Sequence, residues 1–452
     1  MSLQFYPSSR HIVENVFKPA CGEHCGILQS VIVRPIKYGE GLGILSFTGK
    51  MPNYHKVMLN INDPMQYHLG GYGTYYEEAL IRLVGEAIER YSLMASFRAL
   101  PKERIVYASH RELRSGAKVI PFEYMSLFSE EDYAKLGPTR FGGARPPTED
   151  DVLGWAQCCS LFNPGEYIWV PLQMLFVGYR PMKGEIRFSP GFSTGTAAHK
   201  TLPKAMLSAL LEFIEIDALM VHWYAKTKVR QVVVNDATLV EMHANILGPD
   251  SGFEVRVHDL SVLPDLRAHV MGTAIINKKD ERPFMSYGAQ GSLNPLKSFY
   301  RSFTEAMAIE YLGIFGPLYQ AKEYFVDASN MTIADLDTNA GYWASPGNAD
   351  TKKRFMDEFL SGEKKPLTAL SNYETADDEA DLTRLLSDLK RFSEYAVYLD
   401  VTPPEVRDQG WYVMRVFIPE LVTMCVPGVP YSNHPRWSQF GGKKHAIPHP
   451  LP

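Results

Sequence analysis

The chain has 452 residues, 45% of them hydrophobic and 21% charged, and carries a formal net charge of −5. That length exceeds what a single hydrophobic core usually supports, so two lobes or one large α/β body are expected. The slight acidic excess argues against a nucleic-acid protein, no apolar run approaches the roughly 18 residues of a membrane span, and the opening MSLQFYPSSRHIVENVF has no apolar secretory core.

Five cysteines in this length do not form a disulfide framework, so a reducing, cytoplasmic setting is expected. Cys21-Gly22-Glu23-His24-Cys25 lacks the second ligand pair that a zinc site needs.

Residues 1–70 read as an N-terminal strand-rich segment, with VIVRPI and LGILSF as candidate strands. From residue 71 short apolar strands alternate with longer helical patterns, which predicts an α/β fold. The stretches IWVPLQMLFVGY, VRQVVVN, EVRVHDL, AHVMGTAII, YAVYLDV and YVMRVFIP are rich in β-branched and aromatic residues and read as strands. YETADDEAD, residues 373–381, reads as a solvated acidic loop before the helix LTRLLSDLKRF. No low-complexity linker marks a domain boundary.

A weak internal repeat runs through the chain. Three segments place a glycine-containing turn before a helix, with a glutamate seven residues after a small residue: Ala79 to Glu86, Ala205 to Glu212 and Ser298 to Glu305. Thr74 with Glu77 has the spacing of a capping box. Pro203 and Pro295 suit the first helical position, and Asn294 the cap before it. On the first helix Leu80, Leu83, Val84, Ala87, Ile88 and Tyr91 form one apolar stripe, with Arg82, Glu86, Glu89 and Arg90 opposite.

The second helix poses a chemical question. In ALLEFIEIDAL, Glu212 and Glu215 share one turn of an almost wholly apolar run. A buried carboxylate without a partner is protonated or paired with a cation. Either these glutamates emerge at a rim, or they join Glu86 and Glu89 in an oxygen cage for a hard divalent cation such as Mg²⁺. A glycosidase pair is excluded, because its two carboxylates must flank a bond from opposite sides. There is no GxxxxGK[ST] loop, and Gly71-Tyr72-Gly73 lacks the third glycine of the dinucleotide fingerprint. If ATP binds, it does so through metal and scattered cations, with Arg82, Arg90, Lys200, Lys204 and Arg301 as candidates. The sequence closes with HAIPHPLP, where alternating Pro448, Pro450 and Pro452 favour an extended polyproline conformation. Such a rigid end would hold a terminal carboxylate in a defined position, where it could act as a base.

These stretches resemble the YcaO family, in particular its azoline-forming cyclodehydratases, the stand-alone D proteins of thiazole/oxazole-modified peptide synthetases. The resemblance is carried by GYGTYYEEALIRLVGEAIERYS, by STGTAAHKTLPKAMLSALLEFIEIDALMVHWY, by the TEA segment around Glu305, by VYLDVTPPEVRDQGWYVMRVFIPEL and by the PHPLP ending. It implies a YcaO domain over residues 71–452, in which mixed sheets pack with helices and an ATP/Mg²⁺ site lies between glutamate-bearing helices. The implied reaction is ATP-dependent cyclisation of Cys, Ser or Thr in a ribosomally made precursor peptide. Glu86, Glu89, Glu212 and Glu215 match the magnesium ligands, Arg90 and Glu305 match nucleotide positions, and the tail supplies catalytic Pro452 and His449. Another YcaO reaction, thioamide or amidine formation, or a non-catalytic scaffold or peptide-binding subunit, are the alternatives.

Four positions depart from the family pattern. Tyr72 stands where lysine is frequent, Arg82 where serine is, Lys200 where asparagine is, and Ile216 where arginine follows the second glutamate. Arg82 and Lys200 are expected to restore the positive charge. The implied partners are the precursor peptide, a separate leader-binding E1-like protein and an FMN-dependent dehydrogenase, with a homodimer inside a multiprotein complex.

Overall fold

The computed structural model describes residues 9–37, 40–58, 60, 69–137, 145–248, 251–319, 333–359 and 362–451. Among these residues the strands form three sheets. β1 (Ser30–Ile36), β2 (Ile44–Lys50) and β3 (Gly71–Gly73) make an antiparallel sheet in that order. β4 (Ile105–Ser109), β5 (Val152–Ser160), β6 (Tyr167–Pro171) and β7 (Thr196–His199) belong to a second sheet. β8 (Arg230–Val233), β9 (Phe253–Asp259), β10 (His269–Asn277), β11 (Met285–Ser292) and β12 (Lys364–Pro366) form the third, ordered β11-β10-β9-β8-β12. β13 (Val397–Asp400) and β14 (Tyr412–Phe417) complete the second sheet, whose order is β4-β5-β13-β14-β7 with β6 paired to β5. The α/β expectation holds.

The three sheets share one feature. β3, β7 and β11 are each the edge strand of their sheet, and each leads directly into a long helix. Those helices span Tyr76–Ala99, Leu202–Tyr224 and Pro295–Tyr319. The sequence repeat is therefore a strand–turn–helix unit used three times, once per sheet. The packing inside each unit is close: a Cβ on Gly71 would lie 2.0 Å from the carbonyl oxygen of Ala79, so no side chain fits there.

The expected apolar stripe of helix 76–99 is buried at Leu80, Leu83, Val84, Ala87 and Ile88. Asn294 caps helix 295–319, accepting from the Leu296 amide at 3.0 Å, and Pro295 is its first residue. Pro203 occupies the second position of helix 202–224. Thr74 does not form the expected capping box. Its amide donates to Glu78 and its hydroxyl meets Tyr300, so it ties the first helix to the third instead.

The boundary placed at residue 70 falls between β2 and β3, which pair through Leu45 and Gly73. One further expectation changes. The acidic stretch 373–381 is not a free loop. Its helix starts at Asp378, Tyr373 stacks on His269 with ring centroids 5.2 Å apart, and Asp381 is buried against Thr375 and Arg384.

Helix 202–224 is buried almost continuously from Ala205 to Tyr224, and its third acid, Asp217, is fully enclosed. Arg436 meets it with two nitrogens, at 2.8 and 3.2 Å, and the Val422 amide donates to the same carboxylate at 2.8 Å. This pair ties the central helix to the segment Pro435–Phe440. Removing one partner of a buried pair leaves an uncompensated charge, which costs about 3–5 kcal/mol, whereas replacing both is far milder. Arg436→Met should therefore lower unfolding stability by about 3–5 kcal/mol. Adding Asp217→Asn should recover most of that, both read from denaturant midpoints at constant m-value.

Candidate active site

The N-terminal halves of the three helices enclose a cleft of about 750 Å³. Glu86, Glu89, Glu212, Glu215 and Glu305 all line it, as do Arg82, Arg90, Lys200 and Arg301. The structure thus brings together nine of the twelve residues that the sequence nominates, from all three repeat units.

One interaction recurs. The Gly70 amide donates to Glu86 Oε2 at 2.8 Å, the Gly195 amide to Glu212 Oε2 at 3.3 Å and the Ala289 amide to Glu305 Oε2 at 2.9 Å. Each glutamate reaches back to the residue 16 or 17 positions earlier, at the edge strand of its own unit. Glu215 takes a fourth grip, from the Gly291 amide on β11 at 2.7 Å, with Gln290 Nε2 at 3.2 Å. The free edge of a strand presents unpaired N–H groups, and here carboxylates accept from them.

The same geometry leaves oxygen atoms facing the cleft. Glu212, Glu215 and Glu305 each keep Oε1 without a hydrogen-bond partner among the described residues. Burial pushes the Glu212 carboxyl up to about 7, against the opposing pull of Arg90 and Arg415. Burial, with Glu86 adding repulsion, pushes Glu305 up to about 8. Glu89 and Glu215 are raised for the same first reason, burial, with neighbouring glutamates adding to it. Arg90 stands beside the first pair, 3.2 Å from Glu86 and 3.4 Å from Glu89. A set of desolvated, half-committed carboxylates with so little cationic compensation fits a hard divalent ion bound by oxygen. Among the described residues no three acidic, imidazole or thiol groups converge to close a coordination shell by themselves. That suits an ion that keeps water and shares its remaining positions with phosphate oxygens.

A family model described as a YcaO cyclodehydratase binding ATP and Mg²⁺ matches residues 70–422. The chain belongs to the YcaO family. Solved structures agree in fold. A heterocyclase in complex with substrate and cofactor superposes with a TM-score of 0.68 at 19% identity, over 96% of this chain and 53% of that one. The chain therefore spans about half the length of that heterocyclase. The YcaO protein of Methanopyrus kandleri, bound with AMPPCP and Mg²⁺, gives 0.59 at 14% identity over 97% of this chain and 94% of its own. The E. coli microcin synthetase McbBCD complex gives 0.64 at 14% identity over 93% and 96%. No curated protein sequence matches. ATP and Mg²⁺ are accordingly the cofactors of this YcaO chain.

Several nominated residues stand differently from what the sequence led one to expect. Arg82 pairs with Glu78 at 2.7 Å and donates to the Tyr72 carbonyl at 2.9 Å, so its charge is already matched. Lys200 rests 4.1 Å above the Trp411 ring and donates to the Gln409 carbonyl at 3.0 Å. Lys204 does not line the cleft; Asp378 holds its ammonium at 2.9 Å, with Glu374 at 3.9 Å. Arg301 is exposed to the cleft with no ion pair or side-chain hydrogen bond among the described residues. Ile216 lies in the core. Sequence reasoning missed Gln290, Ser208, Trp411 and Arg415, none of which belongs to a motif readable on its own.

The tail is not frayed. His449, Pro450 and Leu451 are buried, and Asn339 Nδ2 donates to the carbonyls of His449 at 2.8 Å and Leu451 at 2.9 Å. Trp343 Nε1 adds a bond to the His449 carbonyl at 3.1 Å. Asn339 and Trp343 belong to the helix Leu336–Ala344, whose first two residues line the cleft. Pro452 lies outside the described residues. The ring of His449 corrects the expectation of a catalytic role: it is fully enclosed, 3.2 Å from the Cys425 carbonyl, and does not line the cleft. Burial lowers it to about 4. Its folded value lies below the ordinary value near 6.5, so the neutral ring favours the folded state above about pH 6.5 and that contribution is lost as pH falls toward 4. A His449→Gln variant should show a flatter fall of Tm between about pH 6.5 and 4 than the parent protein.

Proposed function

We propose that this YcaO protein uses ATP and Mg²⁺ to convert Cys, Ser or Thr of a ribosomally made precursor peptide into thiazolines or oxazolines. The observation that carries the reading is the convergence of Glu86, Glu89, Glu212, Glu215 and Glu305 on one cleft, with carboxylate oxygens left uncommitted.

In this reading the peptide's thiol or hydroxyl attacks the preceding amide carbonyl and loses its proton. The amide oxygen takes the γ-phosphoryl group of ATP, leaving ADP, and departs as phosphate while the amide nitrogen gives up its proton to form the C=N bond, so the peptide loses one water overall. Phosphoryl transfer needs positioning and charge neutralisation more than covalent help from the protein. Glu86, Glu89, Glu212 and Glu215 would hold Mg²⁺, which would neutralise triphosphate charge. Arg90, fixed between Glu86 and Glu89, and Arg301, which has no ion pair among the described residues, would face the phosphates, while Glu305 would border the nucleotide site. The proton acceptor in this reading is Pro452; the carbonyls of His449 and Leu451 before it are anchored to the helix that borders the cleft. Lys200 and Lys204 have lesser parts, since Trp411 and Asp378 already engage them.

The same reading places the chain in a multiprotein assembly with the precursor peptide, an E1-like leader-binding protein, an FMN-dependent dehydrogenase and a second copy of itself. The McbBCD microcin synthetase, one of whose structures has pro-MccB17 bound, supports the peptide substrate and the complex. The 53% coverage of the heterocyclase supports a further component for this chain.

Glu212→Gln and Glu215→Gln, assayed with partner and precursor present, should abolish ATP-dependent water loss by mass spectrometry. Calorimetry should show that Mg²⁺ no longer strengthens binding of a non-hydrolysable ATP analogue, while far-UV circular dichroism stays unchanged. Full turnover in these variants would dismiss the metal assignment.

A further inference from the structure

We infer that Arg415 is a positioning residue for Glu212, acting through the Thr194–Gly195 peptide unit that lies between them. The inference rests on the reading above, in which Glu212 holds the metal. Arg415 lies on β14 opposite Thr196 of β7 and is 1% exposed. Its guanidinium donates to four oxygens, none of them a carboxylate. Nη1 donates to the Thr194 carbonyl and to Thr196 Oγ1 at 3.0 Å; Nη2 donates to the carbonyls of Met174 at 3.1 Å and Phe192 at 2.9 Å. Three of the four acceptors belong to the turn 192–196 that precedes helix 202–224.

The Thr194 carbonyl and the Gly195 N–H are two ends of one planar peptide unit. The guanidinium binds the carbonyl end, and the N–H end donates to Glu212 Oε2 at 3.3 Å. A cation on the carbonyl polarises the unit and strengthens its N–H as a donor. The next peptide unit is held too, because the Gly195 carbonyl accepts from the Val416 amide at 2.7 Å. Gly195 adopts φ +84°, and a Cβ there would lie 2.6 Å from the Val416 carbonyl oxygen, so the turn admits only glycine.

Two contrasts show what the arrangement does. Arg436, the other deeply buried arginine, meets Asp217 directly, so its charge is matched on contact. Arg415 meets neutral oxygens only, and the carboxylate that answers its charge stands one peptide unit away. At the Gln290–Gly291 unit that grips Glu215, the carbonyl is held by the hydroxyl of Ser298, a neutral donor. Of these two grips, it is the one on Glu212 that is backed by a full charge.

Arg415→Lys keeps the charge and loses the planar fork that reaches four acceptors. Replacing groups that orient metal ligands typically weakens metal binding by about 10–100-fold. The full-length protein should be titrated with Mg²⁺ in the presence of a non-hydrolysable ATP analogue, and separately with Mn²⁺ alone. The Arg415→Lys protein, folded by circular dichroism, should bind either ion at least about tenfold more weakly. Hydrogen exchange at the Gly195 amide should be faster than in the parent. A folded Arg415→Lys with parental affinity and parental Gly195 protection would overturn the inference. If that variant does not fold, Thr196→Val decides, since it removes one anchor and keeps the arginine: weaker ion binding supports the inference and parental affinity overturns it. Glu212→Gln separates the two layers. Unchanged ion affinity there removes the ligand reading itself; loss there, with none in Arg415→Lys, removes only the role of Arg415.

Discussion

Everything at the cleft follows from how three sheet edges are closed. A strand with no neighbour leaves N–H groups that must find an acceptor or face water. In this protein the acceptors are carboxylates from the helix that follows each edge strand, at Gly70, Gly195 and Ala289, and at Gly291 a carboxylate from helix 202–224 of the neighbouring unit. The same bond satisfies the amide and aims the glutamate, and at Glu212, Glu215 and Glu305 it leaves Oε1 without a hydrogen-bond partner among the described residues. A glutamine in that place would accept the same amide, but it would carry no charge to hold a cation.

The interior holds charge in two ways, and their energetics differ. Asp217 and Arg436 satisfy each other on contact, so that pair is closed and serves the fold. Each gripped glutamate has one charged hydrogen bond to a backbone amide, worth roughly 1.5–3 kcal/mol. Desolvating a carboxylate costs several kcal/mol, so a single grip does not offset it. The raised titration of Glu212 and Glu305 expresses that imbalance. Either a proton or a cationic ligand makes up the balance, so the cleft favours cations in a way the Asp217 pair does not.

The fold was legible where side chains bulky enough to signal a strand do the packing. β1, β2, β8, β9, β10, β13 and β14 each overlap a stretch that the sequence marks by β-branched and aromatic residues. The edge strands beside the site were not legible. β7 is Thr-Ala-Ala-His and β11 contains two glycines, because a helix packs tightly on each and leaves no room for large residues. The glutamates announced themselves through their apolar surroundings, and the seven-residue spacing tied three of them together. Arg415 sits in VMRVF like any strand residue, and its role exists only through a turn 220 positions away in sequence. Lys204 and Arg82 were nominated as free cations because acids distant in sequence or on the same helix face do not show as partners in a one-dimensional reading.

The three units are alike in fold and unlike in charge, and the difference gives the cleft direction. Three residues after the gripped glutamate stand Glu89, Glu215 and Ala308; four before it stand Arg82, Ser208 and Arg301. All six line the cleft. The first two units therefore present acid pairs, and the first also neutralises its own arginine against Glu78. The third offers one acid and an arginine that no protein group engages among the described residues. In the proposed reading a dication would take the side of helices 76–99 and 202–224, and the anionic phosphates the side open to Arg301 on helix 295–319. A triphosphate with its metal has the same polarity, so the loss of one acid at Ala308 and an arginine left without a carboxylate partner would be enough to orient it.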